Sequence, residues 1–190
     1  MEILFYLLAA CLTLFGVLGI IDGFYLHIWR YRLYEHDESR FEHLTHTART
    51  ILFPGIVCCL FLFPNTPGFY QAGLLLVLAD IGVLAVDAYS EKDSRAFMGG
   101  LPRWEYILHL FVNGFHFGTI LLFLALKFSV EPSGLIARQI DFSTPAGQLV
   151  NWLAVNILPG AILIAILHIW VSLPVGRVWW QKKRNQITCC

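Results

Sequence analysis

The feature that most constrains this chain is a series of five apolar stretches, each about as long as a bilayer is thick. They cover approximately residues 4–29, 44–63, 69–88, 106–128 and 149–170. A helix rises ~1.5 Å per residue, so about 20 apolar residues cross the hydrocarbon core of a membrane. The sequence therefore predicts an all-α fold: an integral membrane bundle of about five transmembrane helices, forming a single domain over residues 1–190.

Composition supports a membrane protein and argues against other classes. Apolar residues make up 57% of the chain and charged residues only 14%, which leaves too little polar surface for a soluble domain. The formal net charge is zero, and no basic stripe of the kind that binds phosphate backbones is present. Nucleic acid is therefore not an expected partner.

The distribution of basic residues predicts the orientation. If the helices alternate in direction, Lys127 and Arg138 lie on one side and the other eleven of the 13 Lys and Arg residues lie on the opposite side. Cytoplasmic loops carry such an excess. We therefore expect an outside N-terminus, a cytoplasmic C-terminus with a basic tail over residues 173–190, and a location in the plasma (inner) membrane.

Ionisable residues inside the predicted spans gather near the cytoplasmic ends of the helices. A titratable group within a bilayer is costly and marks a functional site by default. One layer contains His27, His46, Asp87, His109 and His168, with His43 and Glu105 at its edge; a layer about 10–13 Å from the boundary contains Asp22, Asp80 and His116. The outer halves of the helices hold almost no such groups, so we expect one polar site at matched depth.

Spacing within the helices predicts which of these side chains share a face. Glu105, His109 and His116 follow one another at i, i+4 and i+11, which places them on one face of a helix. Asp22 and His27 are five residues apart, which is about 140° around an α-helix of ~3.6 residues per turn. We therefore expect at most one of these two to point fully at the shared site.

The residue types in these layers are metal ligands. Histidine nitrogens and carboxylate oxygens from several helices bind non-haem iron, manganese or zinc. The predicted ligands are Asp22, His27, His43, His46, Asp80, Asp87, Glu105, His109 and His116, and the predicted supporting residues are Arg49, Asn113 and His168. This number favours two metal ions, most simply two irons, bridged by the catalytic carboxylates Asp87 and Glu105. The deeper Asp22, Asp80 and His116 are open to three interpretations: ligands, a proton relay or structural pairs.

This set of ingredients is similar to that of integral-membrane, histidine-rich hydroxylases and desaturases, whose ligands lie near the cytoplasmic face. Soluble di-iron bundles likewise place Glu and Glu-x-x-His ligands on facing helices. The membrane enzymes carry repeated HxxxH and HxxHH boxes, whereas this chain has only His43-x-x-His46. The resemblance is confined to the ingredients, and it implies oxygen-dependent chemistry.

The expected function is that of a membrane metalloenzyme that hydroxylates or desaturates a membrane lipid or another lipophilic substrate. No nucleotide, flavin or iron–sulfur motif is present, so an iron enzyme would take electrons from an external donor. Three alternatives stay open: a zinc hydrolase acting on a lipid, a b-type haem electron carrier with two axial histidines, and a proton- or ion-coupled transporter. The sequence also leaves oligomerisation open.

Overall fold

The structure is a computed structural model that describes residues 1–188, and it contains five helices at the predicted spans. α1 covers Glu2–Arg30, α2 Arg40–Leu62, α3 Pro67–Ser94, α4 Arg103–Lys127 and α5 Pro145–Ser172. All five are long and apolar enough to cross a membrane. Each begins a few residues before its predicted apolar stretch, because charged residues or proline form the first turn.

Two elements outside the spans are not predicted by the sequence. The basic tail forms a sixth helix, α6 (Pro174–Thr188), whereas residues 189 and 190 lie outside the described part of the chain. Between α4 and α5 the strands β1 (Phe128–Glu131) and β2 (Gly134–Ala137) form an antiparallel hairpin, with Phe128 opposite Ala137. The all-helical expectation is therefore incomplete at this connection.

The second half of α1, Ile20–Arg30, is a π-helix. Its hydrogen bonds run between residues i and i+5, so residues five apart lie nearly above one another. Asp22 and His27 consequently face the same way: His27 Nε2 lies 3.4 Å from Asp22 Oδ1, and both residues are buried. The expectation that only one of them points at a shared site is wrong, because it assumed α-helical geometry.

The two ends of the bundle have different interiors. Towards the N-terminal end of α1 the core is apolar, and Leu8, Leu60 and Phe123 are among its buried side chains. Towards the C-terminal end of α1 the buried side chains include many acids and histidines, among them Asp22 and His27. The fold therefore concentrates its ionisable side chains at one end, as their depth along the predicted spans indicates.

Close packing fixes α3 against α2 and brings the acids of α3 to the polar end. Gly73 of α3 lies against Leu60 and Cys59 of α2, so closely that a side chain at this position would overlap Leu60. At the apolar end, Asn65 in the α2–α3 turn donates to the carbonyl of Ile140 and accepts from its N–H, both at 2.8 Å. The first contact sets the packing of α3 on α2, and the second ties their turn to the segment before α5.

Candidate metal centre

Three imidazoles from three helices meet at the polar end of the bundle. The ring centroid of His27 (α1) lies 3.9 Å from that of His46 (α2) and 6.0 Å from that of His109 (α4). The centroids of His46 and His109 are 6.5 Å apart. His27 and His46 are buried, and the side chain of His109 is only 12% exposed. The three rings therefore form an interior cluster and not a solvated surface.

Asp22 lies against two of these rings, and the surrounding side chains form two sets of ligand atoms that share His27. Its Oδ1 is 2.9 Å from His109 Nε2 and 3.4 Å from His27 Nε2. Two sets of three side chains have ligand atoms within 4.8 Å of one another: Asp22, His27 and His46 form the first set, and His27, Glu105 and His109 form the second. Each set has the composition of a three-ligand site for iron, manganese or zinc.

Two further acids hold histidines of the cluster. Glu91 Oε1 lies 2.5 Å from His109 Nδ1, which leaves His109 Nε2 facing Asp22. Asp87 Oδ2 lies 3.1 Å from His46 Nε2, and Thr45 donates a hydrogen bond to Asp87 Oδ1. A carboxylate on the second ring nitrogen is the usual partner of a metal-binding histidine, and Glu91 has this position. Asp87 itself lies outside both three-residue sets.

A fully buried ion-pair network adjoins the cluster. Arg95 Nη2 is 2.5 Å from Glu105 Oε1, 2.9 Å from Glu42 Oε1 and 3.3 Å from His27 Nε2. The side chains of Arg95, Glu42 and Glu105 are all 0% exposed. Ser94 donates a hydrogen bond to Glu42 Oε2, whereas Glu105 Oε2 is buried and has no hydrogen-bond partner among residues 1–188. Arg95 thus fixes both acids and leaves one oxygen of Glu105 available to a metal ion.

The formal charge of this region is strongly negative. Its carboxylates are Asp22, Glu42, Asp87, Glu91 and Glu105, which are buried or nearly so. These five acids and the single guanidinium of Arg95 leave a net charge of −4 when the histidines are neutral. Uncompensated charge of this size is strongly unfavourable in an apolar bundle. The region therefore requires cations or protons.

Asp80 and His116 form a separate group deeper in the bundle. Asp80 Oδ2 lies 2.9 Å from His116 Nε2, and Asp80 Oδ1 accepts a hydrogen bond from Arg49 Nε at 3.2 Å. Arg49 Nη2 donates to Asn113 Oδ1 at 3.1 Å. Neither Asp80 nor His116 belongs to a three-residue ligand set in the described part of the chain. Of the three deeper residues, only Asp22 belongs to one of the two ligand sets found within residues 1–188.

His43 and His168 also lie apart from the ligand sets. Their rings stack, with centroids 5.3 Å apart and planes 9° from parallel. His43 Nε2 lies 3.0 Å from Ser172 Oγ, and His168 Nε2 lies 3.2 Å from the Gly23 carbonyl. The Tyr34 ring packs against His43, and burial raises the pKa of its phenol, which keeps it neutral. His168 thus contacts the backbone of α1 next to Asp22.

A cavity of about 320 Å³ connects the polar end with the outside of the bundle. Its ionisable lining consists of Asp22, His46, Arg49, Asp80 and His116, and Thr13, Thr50 and Asn156 add neutral polar side chains. Its apolar wall comes mainly from α1 and α5, through Val17, Ile20, Ile157, Ala161 and Ile164 among others. Val17 and Ile20 are also 53% and 51% exposed. The cavity therefore meets the exposed apolar surface of the bundle between α1 and α5.

Sequence reasoning missed three residues at the site because each resembles ordinary loop charge. Arg95 counts among the cytoplasmic basic residues, and Glu91 adjoins Lys92 and Asp93. In the structure α3 continues to Ser94, which brings Glu91, within the helix, and Arg95, directly after it, to the cluster. One signal was present: Glu42 precedes His46 by four residues and Glu91 follows Asp87 by four, so each shares a helix face with a predicted ligand. Arg95 has no comparable signal.

Comparison with known proteins adds no assignment: no protein family, curated protein or solved structure matches this chain.

Proposed function

We propose that this protein is an integral-membrane metalloenzyme with two non-haem metal ions, iron in the simplest case, that oxidises a lipophilic substrate. The observation that carries the proposal is the convergence of ligand atoms from three helices in two sets, built from Asp22, His27, His46, Glu105 and His109. Histidine and carboxylate ligands with open coordination positions suit non-haem iron that reacts with dioxygen.

The charge balance supports two ions over one. Two divalent cations would neutralise the net charge of −4 that the carboxylates and Arg95 leave with neutral histidines. A single divalent ion would leave −2, which protons on the histidines would have to offset. Those protons would occupy the nitrogens that bind metal.

Each ligand has a distinct part in this proposal. His27 and His46 would hold the first ion, and His109 and Glu105 would hold the second. Asp22 would serve both ions, because its Oδ1 lies close to both His27 and His109. Asp87, which the sequence suggested as a bridge, orients His46 instead.

Bound iron would supply the activation of dioxygen at this site. In the hydroxylation that we propose, one dioxygen, one substrate C–H bond, two electrons and two protons give an alcohol and water. The electrons come from an external donor. The chain's own part is to hold the ligands, to exclude water with the apolar walls, and to admit the substrate from the bilayer through the cavity between α1 and α5.

We place the centre on the cytoplasmic side of a plasma (inner) membrane. The excess of Lys and Arg on the side of the polar end supports this orientation. Arg95 and Lys127 are buried, at 0% and 5% exposure. Each of the two lies on a different side of the bundle, so leaving both out of the count keeps the excess of Lys and Arg on the side of the polar end.

Isotope incorporation tests the oxidation. Iron-loaded protein in nanodiscs is given a single-chain lipid, a chemical reductant and ¹⁸O₂, and products are analysed by mass spectrometry. We expect one ¹⁸O atom per product molecule and none with His27→Ala. The control His36→Ala alters a ring stacked on Phe97 outside the cluster and should retain activity. Unlabelled oxygen in the product, or full activity of His27→Ala, would contradict the proposal.

The sharing of His27 by both ligand sets favours a second candidate, a zinc hydrolase acting on a lipid amide or ester. One imidazole nitrogen binds one ion, so Asp22, His27 and His46 would hold a single zinc with an open position for water. Glu105 Oε2, buried and unpartnered, would accept the proton of that water. Zinc-dependent lipid cleavage without any reductant identifies this function.

A further inference from the structure

Part of the polar wall of the cavity between α1 and α5 lies outside both ligand sets: it is formed by Arg49, Asp80 and His116. We propose that this cavity binds a single-chain lipid whose polar group is an uncharged hydrogen-bonding group, an alcohol or a carbonyl, held by Arg49, Asp80 and His116. This inference names the substrate class of the proposed enzyme and so rests on the proposed function. It also makes a claim about binding that is independent of any metal.

The size of the cavity selects one chain. A cavity of about 150 Å³ accommodates benzene, so on the same scale 320 Å³ accommodates roughly a dozen carbon atoms. This is near the lower end of the range for ligand pockets, about 300–1,000 Å³. A phospholipid with two acyl chains would not fit, whereas one chain of about twelve carbons would.

The position of the cavity selects a ligand that arrives from the bilayer. Small side chains, including Gly16, Gly160 and Ala161, line it on α1 and α5. Val17 and Ile20 line it and are also exposed on the outer surface of the bundle. A chain that enters here meets a mainly apolar wall, with Thr13 and Asn156 as its polar members, before it reaches the polar side chains of α2, α3 and α4.

The polar wall offers hydrogen bonds without net charge. Arg49 and Asp80 form an ion pair at 3.2 Å, and Asn113 accepts from the second arm of the guanidinium. Asp80 Oδ2 and His116 Nε2 form a buried ion pair at 2.9 Å. A carboxylate oxygen has more than one acceptor position and a guanidinium has five N–H donors, so a ligand hydroxyl could still donate to Asp80, and a hydroxyl or carbonyl oxygen could accept from Arg49. Such positions at the polar end of an apolar cavity suit an uncharged hydrogen-bonding ligand group.

The same charge balance excludes charged ligands. Asp80 already neutralises Arg49, and Asp22 at the end of the cavity adds a further negative charge. A carboxylate would introduce an unpaired anion, and an ammonium would compete with Arg49 for Asp80. Burial of an unpaired charge in an apolar cavity is strongly unfavourable, so an uncharged group is preferred.

Binding measurements on metal-free protein test the inference. The protein is reconstituted without detergent in nanodiscs of a two-chain ether phospholipid, and the probes are radiolabelled 1-dodecanol, dodecanoate and dodecyltrimethylammonium. Empty nanodiscs give the background of partition into lipid. We expect one saturable site per chain for 1-dodecanol and at least tenfold weaker binding of the two charged probes. Equal or tighter binding of dodecanoate, or no saturable site for 1-dodecanol, would overturn the proposal.

Two variants make the result specific. Asp80→Asn leaves Arg49 unneutralised and should reverse the preference, so that dodecanoate binds more tightly than 1-dodecanol; the exposed Asp141→Asn should change nothing. Ala161→Trp fills the apolar wall and should abolish binding of 1-dodecanol without touching the polar wall. An unchanged preference in Asp80→Asn, or, where that variant does not fold, full binding by Ala161→Trp, would refute the assignment.

The outcome separates this inference from the proposed function. Saturable binding of 1-dodecanol by a protein that never holds metal would sustain the cavity assignment and refute the metalloenzyme. A protein that holds metal but has no saturable site for 1-dodecanol would refute the cavity assignment and leave the proposed metalloenzyme standing.

Discussion

Replacing Arg95 by methionine is the sharpest perturbation of the polar end. The guanidinium contacts Glu105 at 2.5 Å and Glu42 at 2.9 Å, and all three side chains are fully buried. Removing one partner of a buried ion pair costs about 3–5 kcal/mol. Since the guanidinium of Arg95 contacts two buried acids, we expect metal-free Arg95→Met to lose about 4 kcal/mol of unfolding free energy, roughly a thousandfold in the folding equilibrium.

The assay is reversible unfolding in mixed micelles with increasing SDS, followed by tryptophan fluorescence. Arg103→Met is the matched control, because Arg103 is exposed at the start of α4; an exposed charge of this kind contributes less than about 1 kcal/mol. Combining Arg95→Met with Glu42→Gln and Glu105→Gln removes the unpaired charges and should restore most of the lost stability.

Two results would refute this reasoning. A loss below about 1 kcal/mol for Arg95→Met would mean that the buried acids are not charged, or that water reaches them. A triple variant as unstable as Arg95→Met alone would mean that Arg95 acts through packing and not through charge.

Three further predictions follow from single contacts. Glu91→Gln removes the carboxylate on His109 Nδ1 and should weaken metal binding about 10- to 100-fold in a metal titration, whereas Glu131→Gln in the hairpin should not. Gly73→Ala places a methyl group against Leu60 and should lower the unfolding free energy by about 1–3 kcal/mol. Gly82→Ala on the same helix meets no atom within 4 Å and should raise that free energy by up to about 1 kcal/mol; equal melting temperatures for the two variants would contradict the packing of α2 on α3. His116→Ala should retain all bound metal by mass spectrometry, because His116 lies outside both ligand sets, and loss of metal would extend the centre to Asp80.

The membrane architecture could be predicted because hydrophobicity acts on whole segments. A run of about 20 apolar residues specifies a spanning helix whatever it packs against. Depth along each helix then follows from residue number, which is why residue positions alone predict His27, His46 and His109 at one level of the bundle.

The detailed site could not be predicted because it depends on local helix geometry and on where helices end. The π-helix in α1 turns Asp22 and His27 onto one face, and nothing in the apolar pattern announces it. Arg95 follows directly on α3 and is buried there, although Lys92 and Asp93, three and two residues before it, are exposed. Burial of such a residue depends on Glu42 and Glu105, which come from two other helices.

Metal content is the measurement that tests the central claim most directly. Protein purified gently without chelators is analysed by inductively coupled plasma mass spectrometry, together with Asp22→Asn, and an absorption spectrum is recorded on the same sample. For a di-iron centre built on Asp22 we expect about two iron ions per chain, no Soret band, and clear loss of metal in Asp22→Asn. One zinc per chain would favour the hydrolase; no bound metal, or equal metal in the variant, would contradict a metal centre built on Asp22.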